Sequence, residues 1–305
     1  MEILMRLGVV IVTYNRIELL KECLNRVLNQ TADIDSVIIV NNNSDDGTKE
    51  YLDSLKDKRV KPYHESTNLG GAGGFNKALS IAAKEDFDYV LIIDDDAMIE
   101  RSYMQKITDF AKKNKGYNAF AGTVYTEGQI DTYHRRRLAS RLIFWEKQIS
   151  EDMYDRPRKI DFATFCGLVI KGSELKKVGI PLKEYFIWYD DTEFCLRIKD
   201  GIALVPKAKL NHKTVLNYKT ESILGRIGWK HYYGYRNRYD CAKRHLGVIT
   251  CINIIAEYFV FYVGSFVMLL NPAKREQGKY NRRMLRRVFV DCIKGNLGKN
   301  EDYMP

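Results

Sequence analysis

Tyr89-Val90-Leu91-Ile92-Ile93-Asp94-Asp95-Asp96 runs five apolar residues directly into three carboxylates. An uninterrupted apolar run of this length suits a strand buried on both faces, as in a parallel sheet covered by helices. Three like charges at its end repel one another unless a cation lies among them. Hard oxygen ligands favour Mg2+ or Mn2+, which commonly bind one or two carboxylates together with diphosphate oxygens. A solvated acidic loop is the plain alternative, and the position directly after a buried-type strand argues against it.

Working outward, residues 7–12 and 37–40 are apolar runs of the same kind. Between them Leu19, Leu20, Cys23, Leu24, Val27 and Leu28 recur at helical spacing. Residues 48–55 fit a helix, 58–63 a short strand, and the Gly-rich stretch 68–74 leads into a helix over 75–84. This alternation with short links predicts an α/β doubly wound sheet. Such sheets bind ligands outside the carboxyl ends of their strands. Residues 13–16, 41–46 and 94–96 all fall at such ends, which points to one nucleotide site. Residues 127–160 read as an irregular, partly basic insertion beside that site, marked by Arg135-Arg136-Arg137. A strand over 162–171, a helix over 194–199 and a short strand over 203–206 follow, the last leading to His212.

A second acidic cluster, Trp188-Tyr189-Asp190-Asp191-Thr192-Glu193, supplies a carboxylate pair suited to general-base work. The same residues suit an acidic first turn of a helix, and the two roles are compatible. The stretch Asn68-Leu69-Gly70-Gly71-Ala72-Gly73-Gly74 reads as a phosphate cradle or as a mere turn.

An apolar content of 45% with 12% aromatics over 305 residues supports a real core and excludes wholesale disorder. The six cysteines form no C-x-x-C pair, so neither a zinc site nor a disulfide framework is expected. No signal-peptide pattern is read at the N-terminus. Charge is unevenly spread. Residues 207–305 carry 19 Lys/Arg against 7 Asp/Glu, a net +12 within a total of +10. A polyanionic partner is implied, either nucleic acid or an anionic membrane surface. Residues 248–270 form a long run with few polar members, long enough to span a bilayer. Glu257 lies near its centre, however, and a central carboxylate is costly in lipid. Residues 274–287 add seven Lys/Arg against one acid. Helices lying in the membrane interface are therefore favoured over a span or an ordinary core helix. Tyrosines interleaved with basic residues at 226–245 would suit single-stranded nucleic acid, but neither the acidic site nor the apolar run has a place in that alternative.

Taken in order, these motifs resemble the inverting family 2 glycosyltransferases of the GT-A fold. Val10-Ile11-Val12-Thr13-Tyr14-Asn15-Arg16 is similar to that family's opening strand and turn, and Val40-Asn41-Asn42-Asn43-Ser44-Asp45-Asp46-Gly47-Thr48 to its second nucleotide-facing turn. Asp94-Asp95-Asp96 resembles its metal-binding DxD element, and Asp190-Asp191-Thr192-Glu193 its catalytic-base motif. The resemblance implies a GT-A domain over residues 1–215 and a basic, aromatic, membrane-associating helical region over 216–305. It implies a UDP-sugar donor contacted by Thr13, Asn15, Arg16, Asn41, Asn68, Gly71, Asp94 and Asp95. Mn2+ or Mg2+ is expected on Asp94, Asp96 and His212, with Asp191 as base assisted by Asp190 and Glu193. Trp188 and Tyr189 are expected at the acceptor. The Gly-rich stretch, the triple aspartate and the Trp before the Asp pair are similar to galactofuranosyltransferases. Galactofuranose is therefore the expected sugar, with rhamnose or another hexose as the alternative. Two residues depart from the pattern: Asn41 replaces the family's common Asp, and Tyr189 separates Trp188 from the Asp pair. A lipid-linked glycan acceptor at the cytoplasmic face of the membrane is expected, with no nucleic acid. A non-catalytic nucleotide-sugar binder is the alternative of a different class.

Overall fold

The computed structural model describes residues 5–214 and 228–304. They fall into two compact units. The first comprises Met1–Arg137, Lys147–Lys183 and Asp191–Leu216; the second comprises Leu138–Glu146, Glu184–Asp190 and Asn217–Pro305. The boundary read from sequence at 215/216 lies outside the described residues.

In chain order the first part runs β1 (Leu7–Thr13), α1 (Ile17–Leu28), β2 (Ser36–Asn41), α2 (Thr48–Ser54), β3 (Val60–His64), α3 (Gly70–Ala82) and β4 (Tyr89–Asp94). Next come β5 (Ala97–Ile99), α4 (Tyr103–Lys113), β6 (Ala119–Thr126), β7 (Gln129–Ile130), β8 (Arg135–Ser140) and β9 (Trp145–Gln148). They are followed by β10 (Arg158–Ile160), β11 (Phe162–Ala163), β12 (Leu168–Lys171), α5 (Gly172–Val178), α6 (Asp190–Leu196) and β13 (Ile202–His212). The main sheet has the order β10-β13-β6-β12-β4-β1-β2-β3. β1 pairs in parallel with both β2 and β4, and β2 with β3. β12 is antiparallel to β4 and β6, so the sheet is mixed. The expected βαβ half is present, and the chain reverses direction after it.

Burial follows the sequence pattern. Every residue of β1 and β2 is buried, and Leu20, Cys23, Leu24 and Val27 of α1 pack into the same core. Because each strand is buried on both faces, its apolar run is continuous rather than alternating.

Three expectations are corrected. Residues 70–74 are the opening turns of α3, not a loop. Asn68 Oδ1 accepts from Gly70 N at 2.8 Å, and Gly70 takes φ +72, which starts the helix there. A Cβ on Gly74 would stand 2.4 Å from Val12 Cγ1 and 3.2 Å from Asn42 Nδ2, so glycine lets α3 lie directly on β1. Gly74→Ala should therefore cost about 1–3 kcal/mol in urea unfolding despite alanine's better helix propensity, because Val12 is β-branched and cannot swing aside. Residues 127–160 are not irregular: β7 to β10 lie there, and β8 and β9 join β11 in a second small sheet. Their period was hidden by Arg135, a strand residue that is 0% exposed. Its guanidinium donates to Gly122 O, His134 O and Cys166 O, so three backbone acceptors offset its burial. Finally, the helix expected over 194–199 is α6 and begins at Asp190, while the strand expected over 203–206 extends to His212 past an irregularity between Val205 and Lys209.

The second unit is built on α7 (Trp229–His245), α8 (Val248–Leu270) and α9 (Arg275–Lys294). Helix α8 matches the apolar run seen in sequence, and Pro272 follows its end. Helix α9 returns antiparallel along it. A Cβ on Gly278 would meet Ser265 O at 3.0 Å and Met268 Cβ at 2.9 Å, and the Tyr262 and Phe289 rings lie 6.2 Å apart. Tyr232 of α7 donates to Asp291 of α9 at 2.7 Å. Asp291 also accepts from Arg287 and Asn296, which satisfies a carboxylate with no exposed side-chain surface.

Candidate active site

The carboxyl ends of β1, β4 and β13 bring five of the expected residues into one connected cluster. Thr13 Oγ1 donates to Asp95 Oδ2 at 2.7 Å. Arg16, three residues beyond the end of β1, places Nη1 at 2.6 Å from Asp96 Oδ2 and 3.3 Å from Asp95 Oδ1. His212, the last residue of β13, brings Nε2 to 3.2 Å from Asp96 Oδ1. Asp94 ends β4 one residue before this pair. The guanidinium thus supplies the positive charge that three adjacent aspartates require.

Electrostatics follow from burial. Asp94 is pushed up to about 7, by burial first and by the neighbouring Asp96 charge second. Asp95 rises to about 6 because burial outweighs the pull of Arg16. For Asp96, burial is overcome by His212 and Arg16, and its carboxyl is held below the usual range. His212 is raised in turn: burial opposes its charge, but Asp96 and Asp94 favour it. Asp96 is thus the carboxylate of the three most firmly kept ionised.

The residues fit a divalent cation. Asp96 Oδ1 is buried with no hydrogen-bond partner among the described residues, and so is His212 Nδ1. His212 Nε2 approaches this Asp96 oxygen to 3.2 Å as an ion-pair contact, which leaves its remaining lone pairs open. A buried carboxylate oxygen with lone pairs left unfilled is costly, and a cation held by carboxylate oxygens and an imidazole would satisfy it.

The second turn supports the first. Asn15 has φ +52, its N–H donates to Ser44 Oγ at 2.9 Å, and its Oδ1 accepts from Asp45 N at 2.9 Å. Asn41 is buried; its Oδ1 accepts from Ser44 N, and its Nδ2 lies 3.2 Å from His64 Nδ1. Asp46 accepts from Ile17 N at the start of α1. Asn42, not singled out in sequence, joins this turn to α3: its Nδ2 donates to Gly70 O and its Oδ1 accepts from Leu69 N. Gly71 borders open space, with nothing within 4 Å of a Cβ placed on it.

His134 and Cys166 were also missed. Ligating atoms of His134, Cys166 and His212 all lie within 4.8 Å of one another. Both His134 nitrogens are engaged, Nδ1 with Thr164 Oγ1 at 2.7 Å and Nε2 near Asp131 Oδ2 at 3.3 Å. Burial lowers His134 to about 4, against the pull of Asp131, and pushes the Cys166 thiol well up. A neutral imidazole and a neutral thiol therefore back His212, with the two imidazole rings edge to face at 4.9 Å. Nothing in their sequence spacing announced this, because the three residues come from separate strands and turns.

At the second motif, α6 opens with Asp190 and Asp191. Asp191 is partly exposed, and its Oδ1 accepts from Thr192 N and Thr192 Oγ1. Thr192 also accepts from Arg136 Nη2 at 3.2 Å. Glu193 is buried, and its carboxylate is bonded to Arg197 at 2.9 Å, one helical turn on. Arg197 in turn donates to Val178 O and Ile180 O. The preceding residues belong to the second unit. Phe186, Trp188 and Tyr189 have φ +65, +64 and +68, a region that bulky residues rarely adopt. Asn237 of α7 is fully buried and its Nδ2 donates to Tyr185 O, Ile187 O and Trp188 O, which holds this strained backbone. The Trp188 ring meets His231 at 5.3 Å, and Tyr189 meets Phe144 at 6.0 Å.

Comparison with known proteins gives a consistent result. The family model described as glycosyl transferase family 2 matches residues 8–178. The chain is 32% identical over 197 residues to the poly(ribitol-phosphate) beta-glucosyltransferase of Bacillus spizizenii, a match covering 63% of this chain and 29% of that one. The chain spans 29–41% of the length of three curated relatives that it matches. Among solved structures, GalNAc-T7 with UDP, GalNAc and Mn2+ superposes with a TM-score of 0.63 at 14% identity, covering 97% of this chain and 59% of that one. TarS 1-349 of S. aureus in complex with UDP-GlcNAc superposes with a TM-score of 0.55 at 14% identity, covering 96% and 93%. At such identities these likenesses show the fold, which is of the GT-A type.

Proposed function

Because the chain belongs to glycosyl transferase family 2, we propose that it transfers a sugar from a UDP-sugar to a lipid-linked glycan at the cytoplasmic face of the membrane, with inversion. It is a glycosyltransferase; donor, acceptor, metal and residue roles are the proposal. The observation that carries it is the Thr13–Arg16–Asp95–Asp96–His212 cluster, in which a buried Asp96 oxygen has an ion-pair contact with His212 but no hydrogen bond among the described residues. That is a site poised for cation and diphosphate at the carboxyl ends of parallel strands in a mixed sheet.

In this reading Asp94, Asp96 and His212 hold Mn2+ or Mg2+. When bound, that ion offsets the charge growing on the departing diphosphate. Arg16 is half exposed. It releases the aspartates and turns its guanidinium to the phosphates. Thr13 keeps Asp95 oriented. Asn15 and Asn41, set by the second turn, face the uridine, and Asn68 and Gly71 lie against the diphosphate-sugar at the start of α3. Asp191 takes the acceptor hydroxyl proton as that oxygen bonds to the sugar's anomeric carbon. The bond from that carbon to the diphosphate breaks, and its electron pair leaves with UDP. Asp190 supports the base. Glu193, buried against Arg197, holds α6 rather than touching the acceptor. Trp188 and Tyr189 are the residues proposed for the acceptor.

Galactofuranose is the proposed sugar, on the resemblance of the Gly-rich and triple-aspartate stretches. A glucose- or GlcNAc-type sugar is the second reading, favoured by the glucosyltransferase relative and the TarS complex with UDP-GlcNAc. A transfer and donor-hydrolysis screen across UDP- and dTDP-sugars, with Mn2+, Mg2+ and chelator, separates the two. Turnover of UDP-galactofuranose alone supports the first. Turnover of UDP-glucose or UDP-GlcNAc instead replaces it, and no turnover of any donor removes the enzymatic assignment of the cluster.

A further inference from the structure

The second unit carries an apolar surface for which the sugar chemistry has no use. Helix α8 buries Thr250, Cys251, Ile254, Tyr258 and Ser265 on one face. Its opposite face exposes Ile252, Phe259, Val260, Val263, Val267 and Leu270, with Leu270 83% exposed. These positions recur at helical spacing, so they form one stripe. In a helix facing water that stripe would be polar; here it holds no charged residue. The one acid of α8, Glu257, is paired with Arg238 of α7 at 2.9 Å and so is neutralised inside the unit.

A second apolar element lies at the same end of α8. The tip between β8 and β9 exposes Leu142, Ile143 and Trp145, the first by 61%. The tip is stapled to α8 through its backbone: Thr250 Oγ1 donates to Arg141 O at 2.9 Å and Asn253 Nδ2 to Leu142 O at 2.8 Å. Arg238 adds a bond to Ile143 O at 2.9 Å. Three carbonyls of this turn are thus taken up by the staple, and the side chains of Leu142, Ile143 and Trp145 are left exposed. Exposed apolar patches of this extent mark interaction surfaces.

Charge identifies the occupant. Helix α9, lying along α8, exposes Lys279, Arg283, Arg286 and Arg287, while Arg282 stands over the Phe266 ring at 5.1 Å. An apolar stripe on one helix with a basic helix packed along it matches an anionic lipid surface, with side-chain stems in the apolar layer and charges at the headgroups. A second copy of the chain fits worse, since two-fold pairing of the stripes would bring like-charged arginines together. A span fits worse still. The antiparallel α8–α9 packing at Gly278–Ser265 and Phe289–Tyr262 would carry the arginines of α9 into hydrocarbon.

Deepening the membrane part of the proposed function, and resting on it, we infer that α8 lies in the plane of an anionic membrane interface, stripe downward, with Leu142, Ile143 and Trp145 of the β8–β9 tip inserted beside it. The test uses the full chain with phosphatidylglycerol and phosphatidylcholine vesicles. The parent should float with phosphatidylglycerol vesicles and much less with phosphatidylcholine. L142S/I143S/W145S should lower affinity roughly 10-fold or more, and R283Q/R286Q on the order of 10-fold at low salt. The substituted residues are exposed, so circular dichroism should be unchanged. The Trp145 contribution, taken as the difference from W145F, should be quenched by lipids brominated near the carbonyls and little by those brominated near the chain ends. The inference is overturned if the triple variant binds like the parent, if quenching is strongest at the chain ends, or if the parent sediments as a dimer that ignores vesicles. Transfer to a soluble acceptor, measured alongside, should be kept by all these variants. Its loss in the parent would remove the transferase reading, while failure of vesicle binding alone removes only this one.

Discussion

Asp191→Asn should leave UDP-sugar binding intact and lower transfer by about 10²–10⁴. The amide is nearly isosteric with the carboxylate. Its oxygen can still accept from Thr192 N and Thr192 Oγ1, so the first turn of α6 keeps its geometry. What it lacks is the ability to take a proton from the acceptor hydroxyl. Calorimetry with the UDP-sugar and a transfer assay with the same protein separate the two steps. A variant that transfers at the parent's rate would move the base elsewhere, with Asp190 the first candidate. One that loses donor binding as well would mean that α6 shapes the donor site.

Asp96→Ala should abolish metal-dependent UDP binding, by more than about 100-fold, because even partners of metal ligands typically contribute 10–100-fold. The physical case rests on the three aspartates being unequal. Asp94 and Asp95 are pushed towards the neutral form by burial, whereas Asp96 is held ionised by His212 and Arg16. Removing Asp96 therefore removes the carboxylate best prepared to meet a cation. The fold should persist, since Arg16 keeps its contact with Asp95 at 3.3 Å and one of three mutually repelling charges is gone. The melting temperature should stay the same or rise. Unchanged UDP affinity in the presence of Mn2+ would overturn the metal assignment, and a collapsed melting transition would assign Asp96 to structure instead.

Much of the candidate acidic cluster was legible in the residues themselves. Buried parallel strands read as unbroken apolar runs, so their polar ends stand out. Thr13, Arg16, Asp95 and Asp96 could be nominated together because each lies within four residues after such a run, and the structure joins them at hydrogen-bond distance. His212 was nominated by its order among the motifs alone, and it reaches Asp96 because β13 runs on past Pro206 to the sheet's same end. The Gly-rich stretch was visible but its role was not. Glycines permit a loop and a closely packed helix alike, and only the Gly74–Val12 approach decides for the helix.

By itself the chain's amino-acid order determined whatever depends on neighbours in sequence: the strand runs, the acidic ends, the length of α8 and the basic character of the C-terminal third. The tertiary structure decided what depends on residues far apart. It buries Arg135 among three carbonyls, and it backs His212 with His134 and Cys166. It pairs Glu193 with Arg197, and it turns one face of α8 outward while pairing Glu257 with Arg238. The physical reason is the same in each case. Burial and pairing set a polar group's energy, and the partners that satisfy it are chosen by the packing of elements, which local residue order does not encode.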